Sequence, residues 1–307
     1  MSRVVITGGT GMVGAALARA CLASGHEVTV LVPEYLPRLA PLPKDARLSF
    51  VDCDVRNLTG YGSAEIGRAD MFFHLAWLGT APGARGLLHS QFDNVGYALD
   101  AVELASRLGC QVFVGAGSQA EYGRVEGVLT PATPTLPETG YGVAKLAAGQ
   151  MTRLACAELG IRHEWARILS VYGPGDNPHT MVMSVISEAL AGVDPRCTMG
   201  EQLWDYLYCD DCGRALLAMG ECGVDGRVYP VGSGVQRRLS EFIRCICDAC
   251  GTCVNPAFGS VPYQDKQVMY LCADVSSLVS DTGWHAEVPF EEGIARTIEW
   301  TRIRDRG

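Results

Sequence analysis

The chain has 307 residues, 48% of them apolar, and a formal net charge of −9 at pH 7. That length suits one large or two modest α/β domains, each with a sizeable core. Nucleic acid is excluded as an expected partner, because its binding needs a cationic footprint and no run of basic residues is present. No apolar run reaches the roughly 18 residues of a membrane helix, and the N-terminus lacks a secretion signal, so we expect a cytoplasmic protein with no membrane partner.

The first 170 residues alternate short β-rich runs with helical segments, which predicts βαβ units and a parallel sheet. The second half is less regular and is expected to fold back on the first. Its predicted elements are a helix over 179–191, a helix near 211–222, a strand in "RVYPVG", and a terminal helix in "FEEGIARTIEW". The strands predicted for the first half lie in "RVVITGG", "EVTVLV", "LSFVDCD", "MFFHLAW", "QVFVGAG" and "EWARILS".

A glycine-rich turn follows the first predicted strand directly. Gly8, Gly11 and Gly14 lie between "VVIT" and the helix "VGAALARA". Glycines permit positive φ and a close backbone approach, and the helix N-terminus offers free N–H groups to a pyrophosphate. The strand–turn–helix context is what this motif requires, so the loop predicts a dinucleotide site that includes Met12 and Val13.

The end of the second strand contacts the adenosine ribose in dinucleotide-binding folds. An acid there accepts from the 2′-hydroxyl of NAD, while its absence leaves room for the 2′-phosphate of NADP. Val32 occupies this position, with Glu34 two residues on and Arg38 further along as a candidate cofactor contact. NADP is therefore favoured, and NAD stays open because Glu34 is near. Asp54, after the third strand, is placed to meet the adenine or is a solvated loop acid.

A tyrosine and a lysine four residues apart suggest acid–base chemistry. Tyr141 and Lys145 in "YGVAK" share one face of a predicted helix. A neighbouring ammonium favours phenolate and is expected to lower the tyrosine pKa, which suits interconversion of a carbonyl and an alcohol. Ser118, at the end of the preceding strand, is expected to hold the substrate oxygen against Tyr141. We predict these three as the catalytic residues.

With these motifs in place, the sequence resembles the extended short-chain dehydrogenase/reductases of the nucleotide-sugar epimerase/dehydratase group. The resemblance extends over nearly the whole chain. It implies an α/β fold, a Rossmann doubly wound parallel sheet with a smaller C-terminal α/β substrate domain. The motifs that carry it are "TGGTGMVG" (7–14), "DCDV" (52–55), "HLAW" (74–77), Asn94 in "DNVGYALD", Ser118 before "EYG", Tyr141 with Lys145, "RILSVYGPGD" (167–176), "EQLWDYLYCDD" (201–211) and "TGWHAEVPFEEGIARTIEW" (282–300).

The resemblance also implies that different segments of the chain bind the cofactor and the substrate. Residues 1–168, with about 206–232, would bind the nicotinamide cofactor, and residues 169–205 and 233–307 would bind a nucleotide sugar. Lys145 would contact the nicotinamide ribose with support from Asn94. A homodimer would form through the helix that bears Tyr141 and the helix before it. Further cofactor contacts are implied for Val55, Leu75 and Ala76.

Several positions depart from the family pattern for holding the substrate pyrophosphate. Ser170 stands where asparagine is frequent, Trp204 where arginine is frequent, and Gln264 near an expected arginine. Cations that would compensate are Arg167, Arg237, Arg238 and Lys266. The predicted substrate-binding residues, each with an alternative as a packing or loop residue, are Thr80, Gln119, Ser170, Tyr172, Met181 and Trp204.

The stretch "GSQAEYG" limits the reaction. Family dehydratases carry an acid and a base directly after the serine, and here those positions are Gln119 and Ala120, which carry no proton at neutral pH. Glu121 lies one place too far, on the other side of a strand, and is expected to anchor the loop. With "WDYLY", the stretch is similar to CDP-abequose-type 4-ketoreductases. We favour 4-ketosugar reduction, with 4-epimerisation as the alternative and dehydration or non-catalytic cofactor sensing less favoured.

Four cysteines lie close together between residues 245 and 253 in "CICDACGTC". Apolar residues at helical spacing predict one continuous helix here, with Ser240 as N-cap and Gly251 as C-cap. Thiols along one helix do not converge easily on a tetrahedral ion, so we expect structural thiols and no metal.

Overall fold

The structure is a computed structural model that describes residues 1–36 and 40–304. The strands in these residues are β1 (Arg3–Thr7), β2 (Glu27–Leu31), β3 (Leu48–Val51), β4 (Met71–His74), β5 (Val112–Ser118), β6 (Arg162–Ile168), β7 (Ser170–Tyr172), β8 (Arg196–Cys197), β9 (Leu203–Trp204), β10 (Tyr206–Tyr208), β11 (Arg227–Val231), β12 (Arg237–Arg238) and β13 (Ala257–Phe258). The helices are α1 (Met12–Ala23), α2 (Ser63–Ile66), α3 (Leu88–Leu108), α4 (Gly140–Leu159), α5 (Met181–Leu190), α6 (Cys209–Cys222), α7 (Leu239–Cys250), α8 (Ser276–Thr282) and α9 (Phe290–Arg304).

The central sheet has seven parallel strands in the order β11-β6-β5-β4-β1-β2-β3. Helices α1 and α6 pack together on one face, and α3 and α4 pack together on the other. Both faces are covered, which explains why Val4, Val5 and Ile6 of β1 are all buried. The predicted α/β Rossmann fold is confirmed. The strand order reverses between β1 and β4, where open parallel sheets bind ligands at their carboxyl edge.

A second core lies in the C-terminal part, where α5, α7 and α9 pack against short two-stranded sheets. Tyr172 lies within this core and is 1% exposed. Its hydroxyl donates to the Phe290 carbonyl at 3.1 Å, and its ring packs against Tyr208 and Phe290. The prediction that Tyr172 binds substrate is therefore wrong, because the aromatic side chains of this core enclose it.

The cysteine-rich segment forms the predicted helix, α7, which ends at Gly251 in the left-handed conformation with φ +69°. The residue before the helix is Arg238, so the predicted Ser240 cap is wrong. Cys247 and Cys250 are buried in the second core, and Cys253 is exposed. Among the residues that the structure describes, no cluster of His, Cys, Asp or Glu has a metal-binding arrangement, and no helix is long and apolar enough to cross a membrane.

Candidate active site

The glycine loop joins β1 to α1 at the carboxyl edge of the sheet. Gly8 has φ +73°, and a Cβ there would lie 2.7 Å from the backbone nitrogen of Ala76. A Cβ on Gly14 would collide with the Gly8 carbonyl. Gly11 caps α1 without a side-chain hydrogen bond, so no capping side chain occupies the first N–H groups of the helix, which are the groups that bind an anion at a helix N-terminus. This backbone cradle fits the pyrophosphate of a dinucleotide.

The end of β2 carries no acidic side chain at the ribose position. Val32 is only 9% exposed, packs in the core, and donates its N–H to the Val51 carbonyl at 3.1 Å. Glu34 is exposed, and its backbone N–H donates to the Asp52 carboxylate at 3.0 Å. Arg38, which we predicted as a cofactor contact, lies outside the described residues.

Asp54 is held in a cluster of polar side chains beside the loop that follows β2. Its carboxylate accepts from Arg56 Nη2 and from the Tyr35 hydroxyl, both at 2.5 Å. These hydrogen bonds hold the pKa of Asp54 well below its usual range, and Asp54 in turn raises the pKa of Arg56. Val55, the next predicted contact, is buried. Arg56 is a cation at this edge of the sheet that sequence reasoning missed.

The segment after β4 lies against the glycine loop. Leu75 donates its N–H to the Thr7 carbonyl at 3.2 Å, and Ala76 donates its N–H to Thr7 Oγ1 at 3.3 Å. Asn94 is 2% exposed and bonds the Leu78 backbone with both its carbonyl and its amide. In the described residues Asn94 therefore fixes this loop and makes no direct hydrogen bond to the lysine of the active site.

Ser118, Tyr141 and Lys145 come together at the carboxyl end of β5. Ser118 is the last residue of that strand, and Tyr141 and Lys145 lie one turn apart near the start of α4. Thr139 caps this helix by accepting a hydrogen bond from the Gly142 N–H at 3.1 Å. All three predicted catalytic side chains are buried. Ser118 Oγ accepts a hydrogen bond from the Ala120 N–H at 3.2 Å, and the Ser118 side chain acts to lower the phenol pKa of Tyr141.

Burial dominates the titration of the tyrosine and the lysine. It raises the pKa of Tyr141 above its usual value, although the nearby charge of Arg85 acts in the opposite direction. It lowers the pKa of Lys145 to about 7. The prediction that the lysine lowers the tyrosine pKa is wrong for this structure, because burial outweighs the neighbouring charges; Lys145 Nζ donates to the Ala116 carbonyl at 2.6 Å and lies 5.9 Å from the centroid of the Tyr141 ring.

Two side chains that sequence reasoning did not single out surround the tyrosine and the lysine. Lys145 Nζ lies 3.8 Å from the centroid of the Trp77 ring, and the Arg85 guanidinium carbon lies 4.9 Å from the centroid of the Tyr141 ring. Arg85 is held there by its Nε, which donates to the Thr80 carbonyl at 2.7 Å. Trp77 is the last residue of the "HLAW" motif, and that motif was the sequence signal that could have identified it. Arg85 belongs to none of the motifs found in the sequence.

The loop after Ser118 is a 3-10 turn over Gln119–Glu121, not a continuation of the strand. Glu121 is completely buried and accepts from the Ser118 N–H at 2.8 Å and from Trp165 Nε1 at 3.0 Å. Its other oxygen accepts from Arg167 Nε at 2.7 Å. Glu121 therefore anchors the loop as predicted, although the strand geometry used for that prediction is wrong.

A cavity of about 580 Å³ contains the predicted catalytic residues together with Val13 and Leu75 of the cofactor half. Its lining also includes Asp176, whose pKa burial raises to about 6 and which accepts a hydrogen bond from Thr180. The cavity therefore joins the cofactor half of the site to the substrate half. The predicted substrate residues in its wall are Thr80, Gln119, Ser170, Met181 and Trp204.

Two of the three positions that depart from the family's phosphate contacts bind each other. Trp204 Nε1 donates to Ser170 Oγ at 2.8 Å. Arg167 is paired with the buried carboxylate of Glu121, and Arg237 Nη1 donates to Glu291 at 2.5 Å. Both of these arginines are therefore held by carboxylates and not directed at a phosphate in the cavity.

The parallel sheet, the glycine cradle and the adjoining cavity define a Rossmann-fold protein of the dinucleotide-binding class. Residues 4–232 match the model of the NAD dependent epimerase/dehydratase family. That match covers more than half of the chain, so the protein belongs to this family, and the sequence resemblance is confirmed.

Individual relatives carry two activities. The chain is 27% identical over 320 residues to a UDP-glucose 4-epimerase of Mycolicibacterium smegmatis, covering 99% of this chain and 100% of the relative. It is 28% identical over 185 residues to a dTDP-glucose 4,6-dehydratase of Xanthomonas campestris, where the match covers 57% of this chain and about half, 52%, of the relative. The solved structure of MoeE5 with UDP-glucuronic acid and NAD superimposes with a TM-score of 0.83 at 27% identity, covering 98% of this chain and 99% of that one.

Proposed function

We propose that the protein is an NAD(P)-dependent oxidoreductase that acts at C4 of a nucleotide-activated sugar and reduces a 4-ketosugar. The observation that carries this proposal is that Ser118, Tyr141 and Lys145 line one cavity together with Val13 and Leu75 of the cofactor half of the site. The proposed division of the chain, with 169–205 and 233–307 for the substrate, agrees with Ser170 and Trp204 lying in the cavity wall.

Ser118, Tyr141 and Lys145 each have a separate role in the proposed reduction. A bound nicotinamide supplies the hydride. The Ser118 hydroxyl holds the C4 carbonyl oxygen, and the Tyr141 hydroxyl donates its proton to that oxygen as the alcohol forms. The Lys145 ammonium stabilises the phenolate left on Tyr141. Burial of all three side chains excludes water and strengthens each of these interactions.

Dehydration is less well supported, although several relatives are 4,6-dehydratases. Gln119 and Ala120 carry no titratable group at the two positions after Ser118. The nearest carboxylate in this loop, Glu121, is occupied by three hydrogen bonds and lies in the protein interior. An acid and a base for elimination are therefore missing from this loop.

4-Epimerisation is the second candidate, because a 4-epimerase is among the relatives that match the full length of the chain. An epimerase removes a hydride and returns it to the other face, and it needs the same three side chains. The two reactions differ in how the cofactor is held. An epimerase keeps its cofactor bound and regenerates the oxidised form within each cycle, whereas a reductase releases the oxidised cofactor and binds a reduced one at every turnover.

The test uses the purified full chain. Any nucleotide that copurifies is identified after heat release, and the protein is then assayed with NADPH and 4-keto sugars carried on UDP, CDP, GDP or dTDP. Consumption of NADPH with formation of the 4-hydroxy sugar supports the reductase. Retained NAD with interconversion of UDP-glucose and UDP-galactose, and no use of NADPH, would replace it by the epimerase.

We propose NADP as the preferred cofactor. The ribose position at the end of β2 is the buried Val32, which cannot accept from a 2′-hydroxyl. Arg56 lies beside the following loop through its hydrogen bond to Tyr35, and its side chain stays 53% exposed although it pairs with Asp54. A guanidinium there favours a 2′-phosphate. Titration calorimetry is expected to give a lower Kd for NADP than for NAD, and the opposite order would overturn this preference.

We also propose a homodimer formed through α3 and α4. Both helices expose apolar side chains, among them Phe92 on α3 and Val143, Met151 and Leu154 on one face of α4. Light scattering is expected to give about twice the chain mass of 32.9 kDa. Leu154→Glu should yield the monomer, and a monomeric wild-type protein would contradict this proposal.

A further inference from the structure

The indole of Trp77 lies against both the tyrosine and the lysine of the proposed active site. Lys145 Nζ is 3.8 Å from the centroid of the indole, close enough for a strong cation–π contact. The same indole meets the Tyr141 ring edge to face, with centroids 6.1 Å apart and an interplanar angle of 83°. Trp77 also lines the cavity that holds both side chains.

A buried glutamine fixes the orientation of this indole. Trp77 Nε1 donates to Gln91 Oε1 at 2.9 Å, and Gln91 is completely buried. The Gln91 amide donates in turn to the carbonyls of Gly79 at 2.8 Å and Ala84 at 3.1 Å. Because each polar group in this chain of contacts is satisfied, the indole face is held towards Lys145.

The lysine has little other support for its positive charge. Lys145 is 3% exposed and, within the described residues, forms no ion pair; its ammonium donates to the Ala116 carbonyl. The charged and titratable groups around the ammonium are Tyr141, His74 of β4 and Glu121 after β5. Arg85 is one step further away, over the Tyr141 ring.

Of these groups, Glu121 acts to raise the pKa of Lys145, but its carboxylate is already shared with another cation. Burial lowers the pKa of His74 to about 3, so His74 is neutral, and Glu121 is paired with Arg167. The indole face is therefore the π system in closest contact with the ammonium.

We propose that Trp77 is a positioning residue that keeps Lys145 charged and directs its ammonium within the active site. The electron-rich face of an indole attracts a cation, most strongly where water is excluded. An apolar side chain of similar bulk would preserve the burial but remove this attraction. Lys145 would then lose its proton at lower pH. The inference rests on the proposed function for the catalytic role of Lys145, but the contact itself is independent of the substrate.

The low number of lysines makes a direct test possible. The sequence contains Lys44, Lys145 and Lys266 as its only lysines. Protein labelled with carbon-13 at the lysine ε position therefore gives three signals, and the Lys145 signal is identified by its loss in Lys145→Arg. The titration of that signal is followed by NMR in wild type, Trp77→Leu and Trp77→Phe, with Trp77→Met as a second apolar variant. Thermal melting confirms that each variant is folded.

A matched control removes an indole elsewhere. Trp300 on α9 also lies under a cation, since the Arg304 guanidinium carbon is 4.9 Å from its centroid, but it is remote in sequence from the active-site elements. Trp300→Leu should leave the titration midpoint of Lys145 unchanged. A change of the same size in Trp300→Leu and in Trp77→Leu would assign the effect to general destabilisation and overturn the proposal.

In Trp77→Leu and Trp77→Met the midpoint of Lys145 is expected to fall by about one pH unit, while Trp77→Phe, which keeps an aromatic face, stays near wild type. The alkaline limb of the kcat profile should move down by the same amount. A midpoint in the Leu and Met variants equal to wild type would overturn the proposal. Because the NMR titration needs no substrate, a shifted midpoint in a protein that reduces no 4-ketosugar would reject only the proposed function.

Discussion

Glu121 and Arg167 form an ion pair inside the protein, with their side chains 0% and 5% exposed and Nε 2.7 Å from the carboxylate. The same carboxylate accepts the N–H of Ser118. The pair therefore connects β6 to the end of β5 and fixes the backbone that carries the proposed catalytic serine. Trp165 provides a third hydrogen bond to the carboxylate, so the buried charge is fully satisfied.

Glu121→Gln should lower the free energy of unfolding by about 3–5 kcal/mol, because it leaves the Arg167 charge buried without a counter-charge. Urea denaturation at pH 7 measures this change. Glu138→Gln is the matched control, since Glu138 pairs with Arg124 at 2.7 Å with both side chains partly exposed. That control should cost at most about 1 kcal/mol. Equal losses in the two variants would contradict a special role for the buried pair.

The buried carboxyl group of Glu164 in β6 is expected to make the stability of the protein depend on pH. It is completely buried, and within the described residues neither oxygen has an aligned hydrogen-bond donor, although Arg162 Nε lies 2.7 Å away. Burial raises the pKa of Glu164 from 4.5 to about 8. Between these values the unfolded chain has lost its proton while the folded protein keeps it, so stability falls as pH rises.

Glu164→Gln removes this titration. The free energy of unfolding of the variant minus that of wild type should therefore be larger at pH 8.5 than at pH 5, by roughly 3–4 kcal/mol. Urea denaturation at both pH values measures this difference. Glu158→Gln on the exposed end of α4 is the control and should show no such trend. A constant difference between Glu164→Gln and wild type across this range would refute the buried, protonated state.

The hydrogen bond between Trp204 and Ser170 predicts a split between substrate and cofactor affinity. Trp204→Phe keeps an aromatic surface but loses the N–H that donates to Ser170, and Trp204→Leu loses both. We expect KM for the sugar substrate to rise several-fold in Trp204→Phe and more in Trp204→Leu, since a hydrogen bond contributes about 1 kcal/mol. The Kd for NADP should stay the same in both. A loss confined to cofactor binding would place Trp204 outside the substrate half.

Local patterns in the sequence were sufficient for the sheet, the glycine loop and the shared face of Tyr141 and Lys145. Each of these features depends on residues that are close in the chain, through strand length, turn chemistry and helical spacing. The C-terminal helix and α7 were predicted for the same reason.

Contacts between distant segments could not be predicted in this way. Glu121 meets Arg167 across 46 residues, and nothing in "HLAW" indicates that its tryptophan would lie against Lys145. Tyr172 was misassigned because its partner Phe290 comes from the far end of the chain. The raised pKa of Tyr141 depends on burial, which is a property of the folded protein.

In the proposed reaction Tyr141 supports hydride transfer at C4 of a nucleotide sugar. The most direct measurement follows deuterium from NADPH labelled at the nicotinamide C4, on either face, into 4-keto sugars carried on UDP, CDP, GDP or dTDP. Wild type should place deuterium at C4 of one product, and Tyr141→Phe should slow this transfer by about 10²–10⁴-fold while binding NADP equally well. Absence of deuterium at C4 in every product would contradict the proposed reduction, and transfer by Tyr141→Phe at the wild-type rate would contradict the role of Tyr141.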